Sequence, residues 1–482
     1  MSVRRVDARF LLPRPPSTAL VLGDLDGWRS ALRALGVTVI DRPARDPADL
    51  VVAPAGLRLG AERLGSDMLI LEGRAPRPAT YNSRRFLARP SLEQPSLLVP
   101  LDTPVPARYA IERWSVVPTR WKRIRARAAE SLVERGRFPR LRSTVTVATR
   151  TSTTPHVVAA AQQFGIPEDA LSALTLGQGD VLSRNVFHVF PAAADEPEWV
   201  IKFARIPGYR DSFDRDERGL ALVARVPDRI SQHAPRLIAR FQEHGLHASV
   251  ETAAKGRRLR ERLIEPGSRE SKLRLVERVA DWIVELGRET SGPPEALGRE
   301  RRRLTEDVVA KWSAEGAPTT LAQSLPPLNP VLQHNDLGSW NIVVDERSFT
   351  VLDWESAQEA GLPLWDLFYF LADALAVLDG SIRGEERHLH TIRLFRGELP
   401  ASRTLFAWTR RAVNAGSVPP DAVGAIATLC WLHHSLSHVH RTAAVNRFTT
   451  DVRPPIHGTE RVAGLWLRDP VLGERWSRWL TA

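Results

Sequence analysis

His334, Asp336 and Asn341 stand in the stretch Val331-Leu-Gln-His-Asn-Asp-Leu-Gly-Ser-Trp-Asn-Ile-Val-Val-Asp345 at the spacing H-x-D-x-x-x-x-N, and Asp353 follows in Phe349-Thr-Val-Leu-Asp-Trp-Glu355. These residue types at this spacing suit phosphoryl transfer. An amide oxygen and a carboxylate can hold Mg²⁺ against nucleotide phosphates, while a second carboxylate orients and deprotonates the attacking hydroxyl. On this reading Asp336 is the base, Asn341 and Asp353 are the metal ligands, His334 buttresses the loop, and ATP with Mg²⁺ is required. An ordinary polar loop and hairpin would account for any one of these residues. The four together at catalytic-loop spacing are far harder to place by chance.

Local elements must bring these side chains together. Asn341 to Val344 and Thr350 to Leu352 read as two short strands around the turn Asp345-Glu-Arg-Ser348, a hairpin that sets Asn341 and Asp353 side by side. The same chemistry asks for an upstream lysine on the nucleotide phosphates. Lysine is scarce, and Lys202 alternates within the apolar strand Trp199-Val-Ile-Lys-Phe203, a pattern like V-A-I-K. A strand lysine snorkelling to solvent is the plain alternative. Its orienting carboxylate is expected on the next helix. Glu217 is favoured because it shares a face with Phe213, Leu220 and Ala224. Asp214 and Asp216 compete for that role, and Gly219 weakens the helix by about 1 kcal/mol. Further upstream, Gly177 and Gly179 in Thr175-Leu-Gly-Gln-Gly-Asp-Val-Leu-Ser-Arg-Asn-Val186 can bring backbone N–H groups to phosphates, although Leu182 replaces a third glycine.

In this order the motifs resemble the aminoglycoside phosphotransferase and choline kinase group, relatives of protein kinases. His334-Asn-Asp-Leu, Asn341-Ile and Asp353-Trp-Glu carry the resemblance, and Gly361, Pro363 and Asp366-Leu367 extend it. It covers roughly residues 170 to 450. It implies a bilobal kinase-like fold and ATP- and Mg²⁺-dependent transfer to a hydroxyl of a small molecule of sugar, aminoglycoside or amino alcohol type. It also implies a structural role for Asp366, and a lobe-connecting hinge at Glu251-Thr-Ala-Ala-Lys-Gly256 that binds adenine through backbone groups. Ala19-Leu-Val-Leu-Gly-Asp-Leu-Asp-Gly27 followed by Val37-Thr-Val-Ile-Asp41 resembles the opening of a class I methyltransferase-type Rossmann domain. With only Gly23 and Gly27 in the turn and a short span, that resemblance implies a degenerate, non-catalytic version.

The chain has 482 residues, 43% hydrophobic and 26% charged, which excludes a disordered or collagen-like protein and allows two or three domains. The expected fold class is α/β plus α+β. Short apolar runs alternate with helical pieces up to Leu101, and Thr144 to Ala148 adds a strand, so residues 1–150 read as a Rossmann-like parallel-sheet domain. Residues 151–255 read as the β-rich N-lobe of a kinase-like unit and 256–482 as its helical C-lobe carrying the catalytic loop. The net charge of +11 comes from an arginine-rich composition and is weak evidence for a nucleic-acid partner, which is not expected. The basic segment 119–150 reads as a helix on its own domain, or as a peripheral contact with an anionic membrane or polyanion. One cysteine, Cys430, excludes an intrachain disulfide, and no signal peptide or membrane span is evident, so a cytoplasmic location is expected. Cys430, His434 and His438 fall at i, i+4, i+8 and read as helix packing before they read as a metal site. Trp340 reads equally as loop packing or as a wall of the acceptor pocket. Two rival functions remain: an inactive kinase-like scaffold, and a bifunctional enzyme with methyl transfer from S-adenosylmethionine in front.

Overall fold

The structure, a computed structural model, describes residues 3–469 apart from 41, 43–46, 55–56, 58–64, 74–79, 115–120, 122–142 except 124, 128 and 131, 178–179, 383, 437–444, 446–462 and 465. The chain divides into two compact units, 1–213 with 236–254, and 214–235 with 255–482.

The first unit is built on strands β1 (Thr18–Val21), β2 (Thr38–Ile40), β3 (Leu50–Pro54), β4 (Met68–Glu72), β5 (Asn82–Arg89), β6 (Leu97–Pro100), β7 (Thr144–Thr149), β8 (Leu171–Thr175), β9 (Asn185–Phe190), β10 (Trp199–Phe203), β11 (Leu237–Glu243) and β12 (Leu246–Thr252). They form one sheet in the order β11-β12-β10-β9-β8-β6-β5-β7-β4-β3-β1-β2. The pairs β1–β2, β1–β3 and β3–β4 are parallel. The apolar runs of β3 and β4 are almost wholly buried, as parallel strands covered on both faces should be. From β7 onward the pairing is antiparallel.

Residue 150 does not separate two sheets, contrary to the expected boundary. Leu97 and Leu98 of β6 pair with Thr175 and Leu174 of β8, which joins the front strands to the β-rich lobe. The physical reason is the edge. All four residues of β6 are buried, and an apolar edge left unpaired would invite association with other chains, so β8 covers it. The basic segment 119–150 lies largely outside the described residues until β7.

The main hydrophobic cluster runs from Val6 and Trp28 to Phe187, Phe203 and Val250, while smaller ones hold Leu20, Val51 and Leu69 and, further along, Leu97 and Val99. Phe203 stacks on Phe187 at 5.3 Å and meets Phe10 edge-on at 4.9 Å. Inside this core sits a polar knot. Asp7, wholly buried, pairs with Arg205 at 2.7 Å and with Arg9 at 3.2 Å. Arg205 also donates to the Asp180 carbonyl at 3.0 Å, so the N-terminal 3₁₀ segment Val3–Leu11 helps to fix the loop between β8 and β9.

The second unit is mainly helical. Its long helix Arg269–Glu289 is N-capped by Ser268, which accepts the Ser271 N–H, and buries Val276, Val279, Ile283 and Leu286, whose 3- and 4-residue spacing makes one apolar face. The helix Trp365–Leu378 is buried nearly all round. Its described residues also form the short strands β13 (Arg257–Arg258), β14 (Val331–Gln333), β15 (Ile342–Val344), β16 (Phe349–Val351) and β17 (Gln358–Gly361). They pair as β13-β15-β16 and β14-β17. Among the described residues, no helix is long and apolar enough to cross a membrane. Cys430 and His434 lie in the core of this unit, His434 stacking on Tyr369 at 3.7 Å, while His438 lies outside the described residues.

Replacing Asp7 with alanine leaves Arg9 and Arg205 buried and mutually repulsive. Asp7→Ala is expected to cost about 3–5 kcal/mol of stability, the range for breaking a buried ion pair on one side, as measured by urea unfolding.

Candidate active site

The hairpin that positions the acidic groups forms as the sequence requires. Ile342, Val343 and Val344 of β15 face Val351, Thr350 and Phe349 of β16. The turn is closed by Asp345, whose carboxylate accepts the N–H groups of Arg347 and Ser348. One further bond, from the Leu352 N–H to the Asn341 carbonyl at 2.7 Å, extends the ladder past β16. It brings Asn341 and Asp353 to the same end of the hairpin.

The loop before β15 is held by its backbone. The carboxylate of Asp366 accepts the N–H of His334 at 2.6 Å and of Asn335 at 2.8 Å. Asp373, two helical turns further along Trp365–Leu378, accepts the Ser339 N–H at 2.7 Å. His334 is wholly buried, its Nε2 against the Leu352 carbonyl at 2.9 Å and its Nδ1 accepting the Asp336 N–H at 3.3 Å. Both ring nitrogens are thus committed to the backbone of the site. Asn335 and Asp353 both adopt left-handed backbone, φ +65° and +66°, at about 1–2 kcal/mol each for residues with a Cβ. Strain of this kind persists where surrounding bonds overdetermine the chain.

Within that frame the Asn341 Nδ2 donates to the Asp336 carbonyl at 2.9 Å and to its carboxylate at 3.1 Å. Burial pushes the Asp336 carboxyl up to about 7, and the charges of Asp353, Glu355 and Asp366 add to the rise while the Asn341 bond opposes it. Crowded carboxylates of this sort are what a divalent cation neutralises. With its nitrogen committed to Asp336, Asn341 offers its oxygen as a donor. Asn341 and Asp353 thus make an oxygen donor set that fits Mg²⁺. Trp340 packs edge-on against Tyr369 at 6.0 Å with the Arg387 guanidinium over its ring at 5.4 Å, which favours the loop-packing reading.

In the first unit, Lys202 sits on β10 opposite Ser249 of β12. Its Nζ lies 2.9 Å from Oε2 of Glu251, two residues along β12 on the same face. Glu251 is 2% exposed and also accepts from the Ser249 hydroxyl at 3.2 Å. The sequence assigned Glu251 only to a hinge. Glu217, the favoured partner, is exposed on the helix Asp211–Val223, where Asp216 is the buried acid. The Gly177 N–H donates to Asn185 Oδ1 at 2.9 Å, and a Cβ there would lie 2.6 Å from that of Ser183. Gly179 lies outside the described residues.

Residues 175–395 match the model of the phosphotransferase enzyme family. Those residues are similar to a phosphotransferase-family domain. That match bears out the family resemblance and the enzyme class read from the catalytic loop. No curated protein matches the chain. Among solved structures, a glucosamine kinase in complex with glucosamine, ADP and inorganic phosphate is 14% identical, with 60% of this chain and 82% of that one covered and a TM-score of 0.33. An aminoglycoside-3'-phosphotransferase of type VIII is 16% identical over 57% of this chain and 99% of that one, TM-score 0.36. The bifunctional kinase-methyltransferase WbdD is 14% identical over 86% and 87%, TM-score 0.27. The assignment rests on the family match and not on these likenesses.

Two features of the phosphotransferase domain escaped the sequence reading. Asp373 carries no motif of its own, although its i, i+7 spacing from Asp366 puts both on one helix face. Gly219, taken as a weakness in its helix, is a point of close approach: a Cβ there would lie 2.1 Å from the Trp354 carbonyl oxygen, one residue past Asp353. Gly219→Ala gains about 1 kcal/mol of helix propensity but forces backbone apart, at a cost of about 1–3 kcal/mol or more. A net loss of stability in thermal unfolding, with lowered phosphotransferase turnover, is the expected result.

Proposed function

We propose that the chain transfers the γ-phosphoryl group of ATP, bound with Mg²⁺, to a hydroxyl of a small molecule. The observation that carries the reading is the carboxylate of Asp336 held by Asn341 Nδ2, with Asp353 delivered to the same end of the β15–β16 hairpin. Asp336 orients the acceptor hydroxyl and takes its proton as the O–P bond forms. Asn341 and Asp353 would hold the metal, which when bound neutralises charge on the phosphate oxygens. Lys202, kept extended by Glu251, grips the nucleotide phosphates, and Gly177 lets backbone N–H groups approach them. His334, Asp366 and Asp373 hold the loop. A sugar, aminoglycoside or amino alcohol supplies the hydroxyl, and the supply of ATP implies the cytoplasm.

The parallel strands β1 to β4 support a Rossmann-like reading of the N-terminal part without methyl transfer. The turn after β1 spends its left-handed glycine on protein packing: Gly23 has φ +73°, and a Cβ there would lie 3.0 Å from Pro54 Cγ. Arg29 closes the same turn by donating to the Val21 and Gly23 carbonyls at 2.9 and 2.8 Å.

Asp336→Asn keeps the shape and removes the base. Phosphate transfer from ATP to a panel of sugars, aminoglycosides and amino alcohols is expected to fall by about 10²- to 10⁴-fold, with ATP affinity within a few-fold of the parent. Full turnover in the variant would remove Asp336 from the role of base.

A further inference from the structure

Far from the catalytic loop in the chain, the β11–β12 hairpin turns through Glu243, His244, Gly245 and Leu246, with Glu243 paired to Leu246. The two central residues have φ +47° and +79°, the pattern of a turn that favours Asn-Gly. Histidine, like asparagine, takes up positive φ more readily than most residues with a Cβ, so the turn admits it and aims its ring back toward the helix at His156. Its Nε2 lies 3.2 Å from Glu243 Oε1, and its ring meets that of His156 edge-on, centroids 5.6 Å apart. His156 opens the helix His156–Ala161, where its backbone N–H donates to the Leu12 carbonyl at 3.0 Å. Its side chain is 4% exposed, and its Nδ1 is buried without a hydrogen-bond partner. An unsatisfied ring nitrogen at this depth is destabilising unless something binds it.

One ring nitrogen from each histidine and one carboxylate oxygen of Glu243 lie within 4.8 Å of one another. We propose that His156, Glu243 and His244 form a binding site for a zinc-type divalent cation. Two imidazoles and one carboxylate are a donor set that Zn²⁺ takes up with a fourth position left to water, whereas Mg²⁺ prefers oxygen alone. The side chains of His244 and Glu243 are 53% and 27% exposed, so the cation has a path from solvent and room for that water. Neutral imidazole is the form that ligates. Arg9, the nearby cation, is itself paired with Asp7. A cation here staples the tip of the hairpin to the start of the helix, within the first unit and independently of the phosphotransferase reading.

The test uses the full chain, stripped with chelator and titrated with Zn²⁺ by calorimetry at neutral pH, beside His244→Asn and Glu243→Gln. Asparagine suits the turn, so His244→Asn should keep the parent's circular dichroism. The site predicts one equivalent of Zn²⁺ bound by the parent, weakened at least 100-fold in His244→Asn, with a zinc-induced rise in melting temperature that the variant loses. No binding by the parent, or equal binding by parent and both variants, would overturn it.

Discussion

The carboxylate of Asp366 is the constraint on which the active-site geometry depends. It accepts two consecutive backbone N–H groups, of His334 and Asn335, from inside the protein. Those donors belong to a loop that cannot satisfy them by regular structure, because Asn335 is left-handed and the chain must reach Asp336 without helix or ladder. Hydrogen bonds to a charged acceptor are worth about 1.5–3 kcal/mol each, enough to offset that backbone strain. Asp373 repeats the device at the far end of the loop on Ser339. A helix that would otherwise be uniformly apolar therefore carries two buried acids, and their purpose is to shape the segment between His334 and Asn341.

A similar economy governs the first unit. The loop after β8 is tied by Gly177 to Asn185 and by Arg205 to the Asp180 carbonyl, and Arg205 is in turn held by Asp7 from the N-terminal segment. Lys202 is extended along its strand by a buried glutamate on the neighbouring strand. Because the front strands and the β-rich lobe share one sheet and one core, the N-terminal residues are structural partners of the loop expected to face nucleotide phosphate.

Much of this was legible in the sequence where the signal is local. The hairpin around Asn341 and Asp353, the apolar strands β1, β3, β4 and β6, and the helix bearing Val276 to Leu286 follow from period and turn chemistry. β5 was missed because Asn82-Ser-Arg-Arg-Phe-Leu-Ala-Arg89 carries three arginines and only a partial alternation, and pairing with β6 and β7 overrides that weak propensity. The continuity of the sheet was hidden for a related reason: strand order is set by long-range pairing, which local pattern does not encode. The pairing of Lys202 with Glu251 was not legible because it follows from the register of β10 on β12, whereas the sequence pattern offers only the helix acids Asp214, Asp216 and Glu217. Gly219 was weighed by helix propensity alone, since the Trp354 carbonyl it meets lies far along the chain.

The central claim is that Asn341 and Asp353 complete a metal-dependent nucleotide site. Calorimetric titration of ATP into the parent chain and into Asp353→Ala, each with and without Mg²⁺, tests it most directly. Binding by the parent is expected to strengthen at least tenfold with Mg²⁺, with that magnesium dependence lost in the variant. Binding indifferent to Mg²⁺, or unchanged by removal of the Asp353 carboxylate, would contradict it.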